Sequence, residues 1–413
     1  MRKLLSVFLL LVLHCLASVD SSSVQLASYN VDKSEITVSG LSSGGFFAVQ
    51  MHIAYSSIVK GAGVIAGGPY YCAEGSMGTA LTTCMSSPFL LNVNRLISTT
   101  DSWGKSNYID PVENLSGSPV YIFHGTKDST VVEGVVNALQ TYYLNYNVDL
   151  TYRKDVKAGH AFITDNKGGT CGSTTSPYIN NCGEDITGDV LKKLYGSNLL
   201  ARTQKLGGSF VEFDQSEFFE AKKAFGLANS GWIYIPINCQ NGGKCKLHVV
   251  FHGCVQNYES VGDVVVKDTG YNEWADVNDI IVVYPQTGRG STNNCWDWWG
   301  DQNDKSNYAK KSGNQMAIVK RIIDRVAGGT NDGNNPNSSS STEATPTKST
   351  AATHLGACYS TNNYKHVTEG RAYQKLGLVY AKGSDDYMGL YNTFAYTKLR
   401  MTGTNYYIID SSC

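Results

Sequence analysis

Ser34-Glu-Ile-Thr-Val-Ser-Gly-Leu-Ser-Ser-Gly-Gly-Phe-Phe-Ala48 is the stretch around which the rest of this chain is read. A short β-prone run, Glu35 to Ser39, feeds Gly40-Leu41-Ser42-Ser43-Gly44. An apolar segment of helical period follows: Phe46, Phe47, Val49, Gln50, Ile53 and Ala54. Strand, tight turn and helix form the setting in which G-x-S-x-G is a nucleophile elbow. Gly40 and Gly44 suit a turn with no room for a Cβ and a helix packed close behind it. Such an elbow lifts Ser42 Oγ off the sheet and aims the Ser43 backbone N–H, at a helix N-terminus, toward an oxyanion formed there. The five-residue pattern alone is a weak signal in a chain with 42 glycines; its flanks give it weight.

Arg2 and Lys3 precede an apolar run from Leu4 to Leu13 and then Cys15-Leu16-Ala17. This is the layout of a secretory signal peptide over residues 1–17, too short to serve as a mature membrane anchor. A secreted, extracellular chain with no membrane association is therefore expected. The 11 cysteines fall to an even number once Cys15 is removed, which argues for disulfides in an exported chain. Proximity suggests Cys72 with Cys84, Cys171 with Cys182, Cys239 with Cys245, Cys254 with Cys295 and Cys358 with Cys413, although connectivity does not follow from sequence. None of these has the paired C-x₂-C spacing of a zinc site, so neither metal nor cofactor is expected. A formal net charge of −1 provides no basic stripe for nucleic acid.

Residues 18–328 have the length of one large α/β domain. Residues 329–354, rich in Ser, Thr and Asn, hold almost nothing apolar to bury and read as a disordered linker. Residues 355–413 form a second module with nine tyrosines and a cysteine near each end, predicted to be β-rich and to bind substrate. Asn114-Leu-Ser and Asn337-Ser-Ser are N-glycosylation patterns. In the large domain, strands are predicted at Val64–Ala66, Val120–Phe123, Val148–Arg153, Trp232–Ile235, Leu247–Phe251 and Ile280–Tyr284. Helices are predicted at Val131–Leu144, Asp185–Tyr195 and Gln315–Val326. Apolar strands alternating with amphipathic helices predict a mainly parallel sheet covered on both faces.

An elbow serine needs a base, and the base needs an orienting acid; in α/β-hydrolases the chain order is Ser, acid, His. Downstream of Ser42, Phe123-His-Gly-Thr-Lys-Asp128 is a buried strand running into a turn with a carboxylate just before a helix. Asp128 is the candidate acid, and its simpler reading is a helix N-cap. Ala158-Gly-His160-Ala-Phe162 then places a histidine in a post-strand loop, where His160 can take the Ser42 proton and return it to a leaving alcohol. His124 and His252 compete for that role, but both sit in His-Gly pairs that close strands. Asp155 and Asp165 lack the strand–turn–helix setting. A second oxyanion donor has no source upstream of Ser42. The backbone N–H of Cys254, in Leu247-His-Val-Val-Phe-His-Gly-Cys254, is the candidate, with a disulfide anchor as the compatible plain reading.

Together these residues resemble secreted poly(3-hydroxybutyrate) depolymerases and their relatives among feruloyl and acetylxylan esterases. In the common arrangement of that group, a His-Gly-Cys segment, a Tyr-Pro-Gln segment and a Trp-rich segment precede the G-x-S-x-G box. Here His252-Gly-Cys254, Tyr284-Pro-Gln286 and Cys295-Trp-Asp-Trp-Trp299 follow His160. The resemblance covers Ser34 to Ala327 and implies a circularly permuted α/β-hydrolase, with residues 165 to 210 joining the two halves. It implies Ser42, Asp128 and His160 as triad, Ser43 and Cys254 as oxyanion donors, and a water-insoluble polyester as substrate. Ala161 departs from the aromatic residue often found after the Gly-His. Trp296, Trp298 and Trp299 are expected to contact substrate, with at least one of them in the core. The terminal module resembles, more weakly, small domains appended to such enzymes. Two rivals stand beside this reading: an esterase of plant-wall feruloyl or acetyl groups, and a non-catalytic adhesive or carbohydrate-binding protein on a hydrolase scaffold.

Overall fold

The computed structural model describes residues 24–328, 358–375, 378–390, 396–403 and 406–410. The expected signal peptide, the linker, the Asn337 sequon and Cys413 lie outside them. Eight strands build one sheet: β1 (Val31–Leu41), β2 (Val59–Ile65), β3 (Pro119–Phe123), β4 (Asp149–Arg153), β5 (Ser209–Asp214), β6 (Ser230–Ile235), β7 (Cys245–Phe251) and β8 (Ile280–Tyr284). Their spatial order is β4-β3-β2-β1-β7-β8-β6-β5. Neighbours from β4 through β8 are parallel, and β6 and β5 close one edge antiparallel. Strands covered on both faces tend toward continuous apolar runs, and β8, Ile-Ile-Val-Val-Tyr, is one, with every residue buried.

Strand alternation sorts the helices by face. Val38 and Phe251 point toward α1 (Ser43–Ala54), whose Phe47 ring meets Phe251 edge-on at 5.0 Å. All twelve residues of α1 are buried, the state expected of a helix apolar all round. On that side also lie α2 (Val93–Lys105), α3 (Glu133–Leu144) and α5 (Asn314–Val326). Contacts of α1 with the latter two include His52 with the Tyr143 hydroxyl at 3.0 Å and Gln50 with Met316 at 3.8 Å. The opposite face carries α4 (Ile186–Tyr195) and the helix Tyr271–Val277. A Cβ at Gly63 would lie 2.5 Å from Val190, so the missing side chain is what lets α4 lie flat on β2. The expected elements all form. β5, α2 and the helix Tyr271–Val277 were not anticipated.

Counted from β5 and continued through β1, the sheet order becomes 1-2-4-3-5-6-7-8, so the chain is circularly permuted. The two ends of the domain confirm the closure: the Tyr29 amide donates to the Val326 carbonyl at 2.9 Å, and Arg325 Nη1 to the Leu26 carbonyl at 3.1 Å. Residues 154–208 cross from one sheet edge to the other and carry α4 on the way. Four disulfides form as expected, Cys72–Cys84, Cys171–Cys182, Cys239–Cys245 and Cys254–Cys295; Cys358 is also disulfide-bonded.

The C-terminal module is β-rich. Cys358–Asn362, Tyr396–Gly403 and Tyr406–Ile409 form one antiparallel sheet, and Ala372–Lys375, Leu378–Ala381 and Tyr387–Leu390 form another. Its core is small: Ala372, Val379, Ala381, Met388, Leu399 and Tyr407. Among the described residues no helix is long and apolar enough to cross a membrane.

Candidate active site

Ser42 is the single residue between β1 and α1, and its backbone is left-handed, φ 58° and ψ −121°. That conformation costs a non-glycine residue about 1–3 kcal/mol. The turn leaves no alternative: a Cβ at Gly44 would stand 2.3 Å from the Phe251 carbonyl oxygen and 2.4 Å from that of His252. Ser43 N–H is the first helical amide of α1, without an intrahelical partner by geometry. The Ser43 hydroxyl is buried and accepts from the Trp296 amide at 3.4 Å.

Asp128 and His160 meet. His160 Nδ1 lies 2.7 Å from Asp128 Oδ2, and both side chains are buried. Asp128 Oδ1 accepts from the amides of Thr130 (2.8 Å) and Val131 (3.1 Å), so the turn-capping role and the imidazole-orienting role share one carboxylate. Burial pushes this carboxyl up, but the charge and hydrogen bond of His160, with the two amides, hold it below its ordinary value. The His160 amide itself donates to Thr174 Oγ1 at 3.0 Å.

The competing residues are engaged elsewhere. His124 Nε2 donates to the Val131 carbonyl at 3.0 Å. His252 Nδ1 donates to the Gly253 carbonyl at 2.7 Å while Nε2 accepts from the Thr287 amide at 3.2 Å; burial lowers its pKa to about 4. Asp155 pairs with Arg153 at 3.0 Å and Asp165 with Arg202. A second serine–histidine pair, Ser39 Oγ to His248 Nε2 at 2.7 Å, joins β1 to β7 inside the sheet. Both residues are fully buried, and burial lowers His248 to about 3. No substrate reaches that pair; it is a clamp between strands.

Ser42, His160 and Cys254 line one cavity, walled by Leu81, Met85, Trp298 and Trp299. The structure thus brings together, beyond the carboxyl ends of β1, β3, β4 and β7, residues that are far apart in the chain. The wall from Leu81 and Met85 went unseen in the sequence, which offered no signal beyond the nearby Cys72–Cys84 loop. The tryptophans divide. Trp298 stacks on Phe46 at 4.1 Å and meets Trp299 edge-on at 5.3 Å, both facing the cavity. Trp296 does not line the cavity: it is fully buried against Phe47, Phe251 and His252, and is the core member of the expected three. Asp297 between them accepts from the Gly300 and Asp301 amides at 2.7 and 2.8 Å, and burial pushes its carboxyl up to about 6. A wider groove along β4, lined by Arg153, Lys154, Lys192 and Lys193, is open and charged and contains neither Ser42 nor His160. Cys239, Cys245 and Asp279 cluster closely, but the two sulfurs are joined to each other.

No protein-family model matches the chain. It is 40% identical over 474 aligned residues, 94% of this chain and 95% of the relative, to a poly(3-hydroxybutyrate) depolymerase of Delftia acidovorans. It is 36% identical over 76% of its length, and 96% of the relative's, to a polyhydroxybutyrate depolymerase of Talaromyces funiculosus. Among solved structures, a PHB depolymerase complexed with an R3HB trimer superposes with a TM-score of 0.68 at 34% identity, covering 74% of this chain and 99% of that one.

Proposed function

This chain belongs to the poly(3-hydroxybutyrate) depolymerase family, and from that membership we propose that it hydrolyses the ester bonds of a poly(3-hydroxybutyrate)-type polyester through Ser42, His160 and Asp128. The observation that carries this reading is the 2.7 Å bond between Asp128 and His160 at a cavity that Ser42 and Cys254 share. Asp128 fixes the tautomer in which Nδ1 carries the proton, leaving Nε2 as the base. Ser42 Oγ attacks the ester carbonyl as Nε2 takes its proton, and the negative charge moves to the carbonyl oxygen. Ser43 and Cys254 N–H groups receive that oxyanion. Collapse breaks the C–O bond, His160 returns the proton to the leaving alcohol, and an acyl-Ser42 remains. Water, deprotonated by the same imidazole, releases the hydroxyacid. Trp298 and Trp299 offer the apolar wall that a polyester backbone needs.

The terminal module serves in this reading as a polymer anchor. Tyr373, Tyr380 and Tyr387 stand opposite one another on three adjacent strands, with rings 5.6 and 5.8 Å apart. Tyr373 and Tyr387 are exposed. A row of flat amphipathic rings suits an ester polymer, and tethering raises the local concentration of the catalytic domain at its surface. The four disulfides suit an extracellular site of action.

The test compares three proteins on polymer film and on a soluble short-chain p-nitrophenyl ester. Ser42→Ala is expected to lose at least about 10³-fold on both substrates, with fluorophosphonate labelling of the wild type mapping to the Ser42 peptide. A chain ending at Gly328 is expected to keep its rate on the soluble ester and lose rate on film. Turnover by Ser42→Ala equal to wild type overturns the mechanism. Release of product from feruloylated xylan but not from film overturns the substrate.

A further inference from the structure

Gln256, two residues past Cys254, is fully buried and uses its whole amide. Its Oε1 accepts from the Gly253 amide at 2.8 Å, and its Nε2 donates to the carbonyls of Pro177 at 2.9 Å and Tyr178 at 3.0 Å. The Tyr178 carbonyl also accepts from the Phe162 amide at 2.9 Å, two residues after His160. Four residues before Tyr178, Thr174 Oγ1 holds the His160 amide. One side chain therefore joins the turn that carries the Cys254 N–H to the segment that braces His160.

The geometry of the turn gives this link a catalytic consequence. Gln256 fixes the peptide before Gly253, and His252 Nδ1 fixes the peptide after it by donating to the Gly253 carbonyl at 2.7 Å. In a planar trans peptide the C=O and N–H point in opposite directions, so a held Gly253 carbonyl aims the Cys254 N–H the other way. Gly253 is held tightly as well: a Cβ there would lie 2.7 Å from Gln256 Oε1.

We propose that Gln256 is a positioning residue that keeps the Cys254 oxyanion donor in register with His160. This inference rests on the reading of Cys254 and His160 given above. Such a residue acts on the transition state rather than on bound ester, because only the tetrahedral oxyanion needs the donor within hydrogen-bond reach.

Gln256→Leu removes both links. It is expected to lower kcat per titrated active site on the soluble ester by about 10- to 100-fold with KM little changed, and to weaken an alkylboronic acid, a tetrahedral mimic, by the same factor. Gln256→Glu separates the links, since its protonated acid donates to the Tyr178 carbonyl and its carboxylate does not. The ratio of its rate to wild type is expected to fall as pH rises, which a merely structural role does not produce. Wild-type kcat and boronate affinity in Gln256→Leu overturn the inference, as does a lowered unfolding temperature with unchanged turnover per active site. Ser42→Ala run in parallel separates the two failures. If it is inactive while both Gln256 variants behave as wild type, this inference alone is wrong; if it is active, the mechanism beneath is wrong.

Discussion

Asp297 and Asp128 are buried carboxylates a few residues from the cavity, and their environments push them in opposite directions. Burial raises Asp297 to about 6 despite its amide donors, and the Asp301 charge adds to the rise; Asp128 has His160 and is lowered. The signs of their linkage therefore differ. Asp297, raised above an ordinary value near 4, contributes fully below that value and loses its contribution as pH rises through about 6, a cost of roughly 3 kcal/mol at neutral pH. Asp128 contributes above pH 4 or so and loses its share as pH falls through its lowered value. Asp297→Asn, which keeps an acceptor for the Gly300 and Asp301 amides, is expected to gain stability over wild type progressively from about pH 4 to just above pH 6. Asp128→Asn is expected to cost most at neutral pH and least in acid. Thermal unfolding of the three proteins from roughly pH 2 to pH 7 checks both signs, Asp297 over the middle of that span and Asp128 at its acid end; an offset independent of pH over the whole span would contradict them.

At the level of elements, the rim of the site is a meeting of turns. The Cys254–Cys295 disulfide binds the turn after β7 to the tryptophan loop across 41 residues. Opening it with Cys254→Ala and Cys295→Ala together is expected to cost about 4 kcal/mol through the freed unfolded chain. It should also lower ester turnover although the residue-254 N–H survives; denaturant titration and active-site-normalised rates measure the two effects. What could be read in advance follows from how local each element is. The elbow and Asp128 after β3 were legible because strand, turn and chemistry sit within a few residues of one another, and His160 because a Gly-His pair follows the Val148 to Arg153 run in a loop. β5, Ser-Phe-Val-Glu-Phe-Asp, was missed because an edge strand is half polar and carries no unbroken apolar run. Trp296 was placed with its neighbours because a loop has no fixed period to say which indole turns inward. Gln256 gave no sign at all: its partners at 177 and 178 lie some eighty residues away, and a buried amide carries no local signature.

For the whole molecule, the sheet order and the adjacent ends make chain connectivity separable from architecture. A catalytic domain in which a short Gly/Ser linker joins Gly328 to Val24, with new termini opened at the exposed Ser197–Asn198 bond, is expected to fold to the same sheet. It should hydrolyse soluble ester at a rate within about threefold of the parent, because permutation is tolerated where ends meet at the surface. Circular dichroism and turnover test this, and an unfolded or inactive product would show that the present order of synthesis matters to folding. The hydrogen bond from Tyr29 to Val326 also has a topological meaning. With its ends in contact, the domain is a ring severed at one bond, and where it starts is a matter of genetic bookkeeping rather than of shape. A reading frame scanned from left to right therefore meets the nucleophile first and its oxyanion turn last, while in space the two lie side by side.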